Sequence, residues 1–185
     1  AYTIEPNQML RLELHYVNVN TTPQMLEATS TFVPMPRDEV ENEANIMFLG
    51  DTRISIPPMS EATLGPSFIR VPSRFDGVRY FAITGHEHQW GTNVHVEVTE
   101  GEGMAGTPVY DLPFFLWDEP ETVAYDPPFQ VPAGGGFNLT CSWSNLSDQW
   151  VGFGTSVNDE MCFIWAYYFP SQGPLICAGG LGGCN

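Results

Sequence analysis

Two histidines set one residue apart, in Gly85-His86-Glu87-His88-Gln89-Trp90-Gly91, are the side chains best placed to do chemistry in this sequence. They are half of the four histidines present. On an extended strand residues i and i+2 face the same side. The spacing therefore predicts two imidazoles side by side, able to hold one metal ion. Far along the chain, Asp159-Glu160-Met161-Cys162 offers a thioether. Delivered from a distant strand, Met161 would complete a His-His-Met site. Imidazole suits copper, and the soft thioether favours Cu(I) over Zn(II) or hard cations. Taken alone, His-x-His is a weak signal, and an isolated methionine reads as core packing.

Other chemistry is poorly served. No Ser/His/Asp or Cys/His triad is credible, because the paired histidines suit a metal better and the cysteines read as bonded. Asp118, Glu119, Glu121 and Asp126 sit in an acidic, Pro-interrupted stretch that reads as a solvated loop and does not fit an EF-hand. His95 falls on the polar face of an alternating strand and reads as a surface residue. Asp159 and Glu160 read as turn residues that support the site rather than as acid/base catalysts. Trp90, Trp117, Trp143, Trp150 and Trp165 read as packing, with Trp90 near enough to wall the metal site.

The elements that must position these residues are short. Eighteen glycines and sixteen prolines punctuate the chain and leave brief segments between turns, the pattern of an all-β sandwich or barrel. Strands are expected at 9–19, 26–35, 45–56, 67–71, 78–84, 94–98, 107–112, 114–117, 129–131, 138–143, 150–154 and 161–169. The stretch 118–128 is expected as an acidic loop, and 36–47 has room for one helical turn. Residues 173–185 read as a Gly-rich tail held by Cys177 and Cys184. No repeat or linker divides the sequence, so 1–185 is expected to form one domain.

Charge narrows the function further. Twenty-two acids face six arginines and no lysine, for a formal net charge of −16. No basic residue follows Arg79. Nucleic acids and anionic membranes need basic neutralisation, so neither is an expected partner. No apolar run reaches the length of a membrane span, and no signal peptide is visible, so the chain reads as a mature or trimmed product. Four cysteines with no C-x-x-C (Cys141, Cys162, Cys177, Cys184) suit two disulfides and an oxidising compartment, secreted, extracellular or periplasmic. Sequons at Asn20, Asn138 and Asn145 matter only if the source glycosylates secreted proteins.

Several stretches together resemble one family. Leu12-Glu13-Leu14-His15-Tyr16-Val17-Asn18 is similar to an L-x-x-H-Y-x-N strand, and the His86/His88 stretch to an H-x-H copper motif. Leu139-Thr140-Cys141-Ser142-Trp143 is similar to a C-x-(Y/W/F) strand. Gly154-Thr155-Ser156-Val157-Asn158-Asp159-Glu160-Met161-Cys162 closely resembles a G-x-x-x-x-(D/E)-E-M-C motif. The family is that of the copper type II, ascorbate-dependent monooxygenases, and the resemblance is to their C-terminal domain and short bacterial relatives. It implies an antiparallel jelly-roll β-sandwich. It also implies that His86, His88 and Met161 bind a catalytic copper and that Cys141 pairs with Cys162. A disulfide on the residue after Met161 would steady the segment that delivers the thioether.

The departures from the family pattern carry equal weight. The two-domain enzymes have a second, three-histidine copper. Here only His15 resembles one of those ligands, as a possible weak metal contact, and His95 is the one histidine left over. The expected function is thus a secreted domain binding one copper ion, with ascorbate as a possible reductant. Hydroxylation of C–H bonds would call on a partner domain or protein that carries the other copper. The alternatives are a non-catalytic copper storage or delivery module, and a self-assembling structural subunit of an extracellular layer or fibre.

Overall fold

A computed structural model describes residues 1–10, 18 and 20–180, together with the backbone of 183–184. The chain folds as an all-β sandwich. One sheet is built from β1 (Asn45–Asp51), β4 (Arg79–His86), β7 (Thr122–Phe129), β10 (Phe163–Phe169), β11 (Leu175–Gly179) and β12 (Gly183–Cys184). Its strand order is β12-β11-β1-β10-β4-β7. The facing sheet holds β3 (Ser60–Arg70), β5 (Gly91–Thr99), β6 (Thr107–Asp111) and β8 (Gly136–Asn145), in the order β3-β8-β5-β6. A two-stranded ribbon pairs β2 (Ser55–Ile56) with β9 (Val151–Gly152). Among the described residues no helix is long and apolar enough to cross a membrane.

Period-2 alternation builds the core. Met47 and Leu49 from β1, Ile164, Ala166 and Tyr168 from β10, and Tyr80 and Ile83 from β4 turn inward from the larger sheet. Val94 and Val96 from β5, and Phe137, Leu139, Cys141 and Trp143 from β8, meet them from the smaller one. Cys141 is bonded to Cys162, which lies just ahead of β10. That disulfide therefore ties one sheet to the other beside Met161.

Most expected strands form, and the departures have physical reasons. Residues 26–35 make no strand and are exposed. The stretch has no partner ladder, and a lone strand leaves its backbone groups unpaired. Of the strand expected at 9–19, residues 11–17 and 19 lie outside the described residues. Residues 114–117 also stay irregular.

Two stretches expected as loops are strands. The acidic stretch 118–128 yields β7, which pairs along β4 with Ala82 opposite Ala124. Pro127 and Pro128 are tolerated because β7 is an edge strand, where a missing N–H costs no ladder bond. The Gly-rich tail supplies β11, which runs parallel to β1 and buries Leu175 and Cys177. Cys177 is disulfide-bonded, and its Cα pairs with that of Cys184 across β11 and β12. The expected helical turn is a single 3-10 turn at Arg37–Glu39.

Candidate metal centre

β4 delivers the first histidine and stops there. His86 is its last residue, paired with Phe163 of β10. His88 lies beyond the strand, in the turn that leads to β5. The strand rule that predicted two rings on one face thus does not apply to the second histidine. The turn still brings the rings together, with centroids 5.2 Å apart and planes at 81°. The His86 ring also lies 5.0 Å from the ring of Trp165 on β10.

The segment before β10 holds His88 in place. His88 Nδ1 is 3.1 Å from the carbonyl oxygen of Asp159. A carbonyl only accepts, so Nδ1 carries the proton and Nε2 keeps its lone pair. A backbone carbonyl on one ring nitrogen is the usual way a metal-binding histidine is oriented. Gln89 adds a bond to the Asn158 side chain. Met161 is half-buried and follows Asp159 by two residues.

Glu160 is the anchor between the two segments. Its buried carboxylate accepts from the backbone N–H groups of His88 (2.9 Å) and Trp90 (2.8 Å) and from the Trp143 indole (2.9 Å). The Met161 N–H adds a longer contact at 3.2 Å. Burial raises its pKa, and these N–H donors work against the rise. Support from Glu160 is in line with the role read from the sequence, but its reach across to Trp143 had no sequence signal.

Glu87 escaped sequence reasoning. It points away from solvent between the two histidines and is wholly buried. Neither carboxyl oxygen has a hydrogen-bond partner of good geometry. Burial, with a further push from Glu160, raises its pKa to about 10, and the nearby N–H groups of Ser142, Asn93 and Thr92 offset only part of that. Where two buried carboxyls interact, the proton belongs to the pair. Within the pair Glu87 is the favoured holder, because the well-aligned donors are on Glu160. The one available clue was Gly91, where a Cβ would fall 2.4 Å from that of Glu87.

The remaining expected ligands lie elsewhere. His95 sits on β5 with Nε2 3.5 Å from Glu97 and Nδ1 3.4 Å from Asp111. His15 lies outside the described residues. Among the described residues no three His, Cys, Asp or Glu side chains converge as a metal site. A metal at the histidine pair would have to draw on another donor, and Met161 is the soft one at hand. Two imidazoles, one with a free Nε2 fixed by a carbonyl, beside a thioether-bearing segment fit a copper ion by donor chemistry.

Comparison with known families agrees with this chemistry. Residues 42–179 match the family described as copper type II ascorbate-dependent monooxygenase, C-terminal domain. The match covers most of the chain, including His86, His88, Met161 and the Cys141–Cys162 disulfide. The chain belongs to that family.

Proposed function

We propose that this copper-monooxygenase domain binds copper through His86, His88 and Met161. The observation that carries the reading is the Asp159 carbonyl on His88 Nδ1, with the His86 ring 5.2 Å away. It leaves one nitrogen of His88 ready for a metal and fixes its direction. Copper there would supply the family's oxidative chemistry, C–H hydroxylation with O2 and ascorbate as reductant. The chain's own residues hold and orient. Glu160 ties the His88 turn to the Met161 segment. The disulfide fixes that segment to β8. Trp165 packs against the His86 ring. The disulfides support export to an oxidising compartment.

A second reading keeps the copper and omits turnover. It is favoured by the placement of His95, whose two ring nitrogens face Glu97 and Asp111 on the other sheet. That histidine does not contribute to a second centre beside the first. Catalysis would then depend on a partner domain or protein that carries the other copper. Titration of the metal-free protein with Cu(I) against a competing chelator tests the site. One ion per chain is expected, lost in both H86A and M161A; unchanged stoichiometry in both variants would overturn the assignment. Ascorbate-dependent oxygen consumption then separates an enzyme from a copper carrier.

A further inference from the structure

The two sheets differ on their outer faces. On β8 of the smaller sheet, Thr140 and Ser142 alternate with the core residues Leu139, Cys141 and Trp143. Their cross-strand partners are polar too, with Thr63 and Asn93 beside Ser142 and His95 beside Thr140. That is the ordinary pattern of a sheet with one solvated side. The larger sheet breaks it. Phe48 alternates with Met47 and Leu49, and Trp165 with Ile164 and Ala166, so both point away from the core.

Cross-strand partners share a face. The register sets out one row across β11, β1, β10, β4 and β7, made of Ile176, Phe48, Trp165, Thr84 and Thr122. The row beside it holds Gly50, Phe163 and His86. The Phe163 ring lies over Gly50, where a Cβ would stand 2.2 Å from it. It stacks on Phe48 at 4.4 Å, with planes 7° apart. Trp165 is 5.4 Å from Phe48 and 5.0 Å from His86, so the aromatic surface is continuous with the proposed metal centre. Ile176 is 60% exposed, and Phe48 and Trp165 are half-buried. These two rows hold no acid, lysine or arginine, in a chain of net charge −16. The Thr84 and Thr122 hydroxyls bond to each other at 2.7 Å. A charged ligand would lose hydration here without gaining a counter-ion. A flat, uncharged one would stack on the rings.

We infer that this apolar row is the substrate wall of the proposed copper site, and that the substrate is an uncharged molecule with a flat apolar ring, laid against Phe48 and Trp165 with one end at His86. Its being a substrate rests on the copper reading above; its contact with the row needs no metal.

Three probes with one body and different charges test it on the whole, metal-free chain: 2-phenylethanol, 2-phenylethylammonium and phenylacetate. Titration in about 0.15 M salt damps the general field of the acidic chain. The reporter is the Trp165 indole N–H signal, assigned by its loss in W165F. 2-Phenylethanol is expected to shift it saturably and to bind about tenfold more tightly than either ion. Its ring protons should show nuclear Overhauser contacts to Trp165 and Phe48 in the wild type, a reading that needs no variant. W165A should weaken its binding about tenfold. Copper stoichiometry should stay at one ion per chain in W165A, so failure of the metal site and failure of this row read differently. Equal or tighter binding of either ion, no contact to Trp165, or undiminished affinity in W165A would overturn the inference. So would a stable dimer in sedimentation that closes this face to the probe.

Discussion

Two histidine settings, one in the turn after β4 and one on β5, differ in what they leave free. His88 is buried, and one nitrogen is spent on a backbone carbonyl. His95 is half-exposed, and each nitrogen faces a carboxylate. A neutral carbonyl partner selects one tautomer and spares the other nitrogen. Two carboxylates, at 3.5 and 3.4 Å, face both nitrogens and single out neither. Four histidines are thus not four equivalent candidates. Local partners sort them more sharply than their place in the alternation does.

The largest expected effect breaks this comparison most directly. H88A should lower Cu(I) affinity at least about a thousandfold, about 4 kcal/mol, as read by chelator competition. The anchor comes next. In E160Q the amide nitrogen cannot accept, so at least one buried N–H among those of His88, Trp90, Met161 and Trp143 loses its partner. Unfolding in urea should show a loss of about 3 kcal/mol, within the range for stranding buried groups of a charged network. Copper affinity should fall about 10- to 100-fold through misplacement of His88. E97Q, the matching change beside His95, should move stability by less than about 0.5 kcal/mol.

The sequence carried the histidine pair further than it carried the scaffold. That His86 and His88 lie together, next to the segment that carries Met161, was legible because each falls within a short motif, and the Cys141–Cys162 disulfide followed from the same resemblance. Glu160 could be placed near the site, but not its bond to the Trp143 indole, which depends on how β8 crosses the sandwich. Glu87 was hidden because an acid between two histidines reads as polar and exposed, whereas the strand end turns it inward. The β7 and β11 errors share one cause. Proline, glycine and acid content marked them as loops, while their strand character comes from the neighbouring β4 and β1, which local pattern does not record. Residues 26–35 failed in the reverse sense, expected as a strand and with no ladder to join.

Glu87 offers a pH test of the metal side. Its carboxyl has a model value of 4.5 and is raised to about 10 in the fold. The stabilisation it gives as a neutral group is fully present below about 4.5 and is lost progressively as pH rises toward 10, because the unfolded chain releases that proton first. The raised pKa of Glu160 acts with the same sign. Wild-type metal-free protein should lose up to about 1.4 kcal/mol per pH unit relative to E87Q between pH 6 and 8. Chemical denaturation at several pH values checks it; parallel stability curves would show that Glu87 is ionised in the fold.

The smallest effect is expected on the other sheet, and it sharpens the comparison most. The His95 contacts to Glu97 and Asp111 are long and reach partly exposed partners, so their attraction is weak and screened by salt. H95A should change stability by less than about 0.5 kcal/mol. It should leave copper stoichiometry and affinity as they are in the wild type, because no atom of His95 is spared for a metal. A drop in copper stoichiometry in H95A would mean that facing two carboxylates does not disqualify an imidazole. The carbonyl on His88 would then no longer separate the proposed ligand from the other histidine.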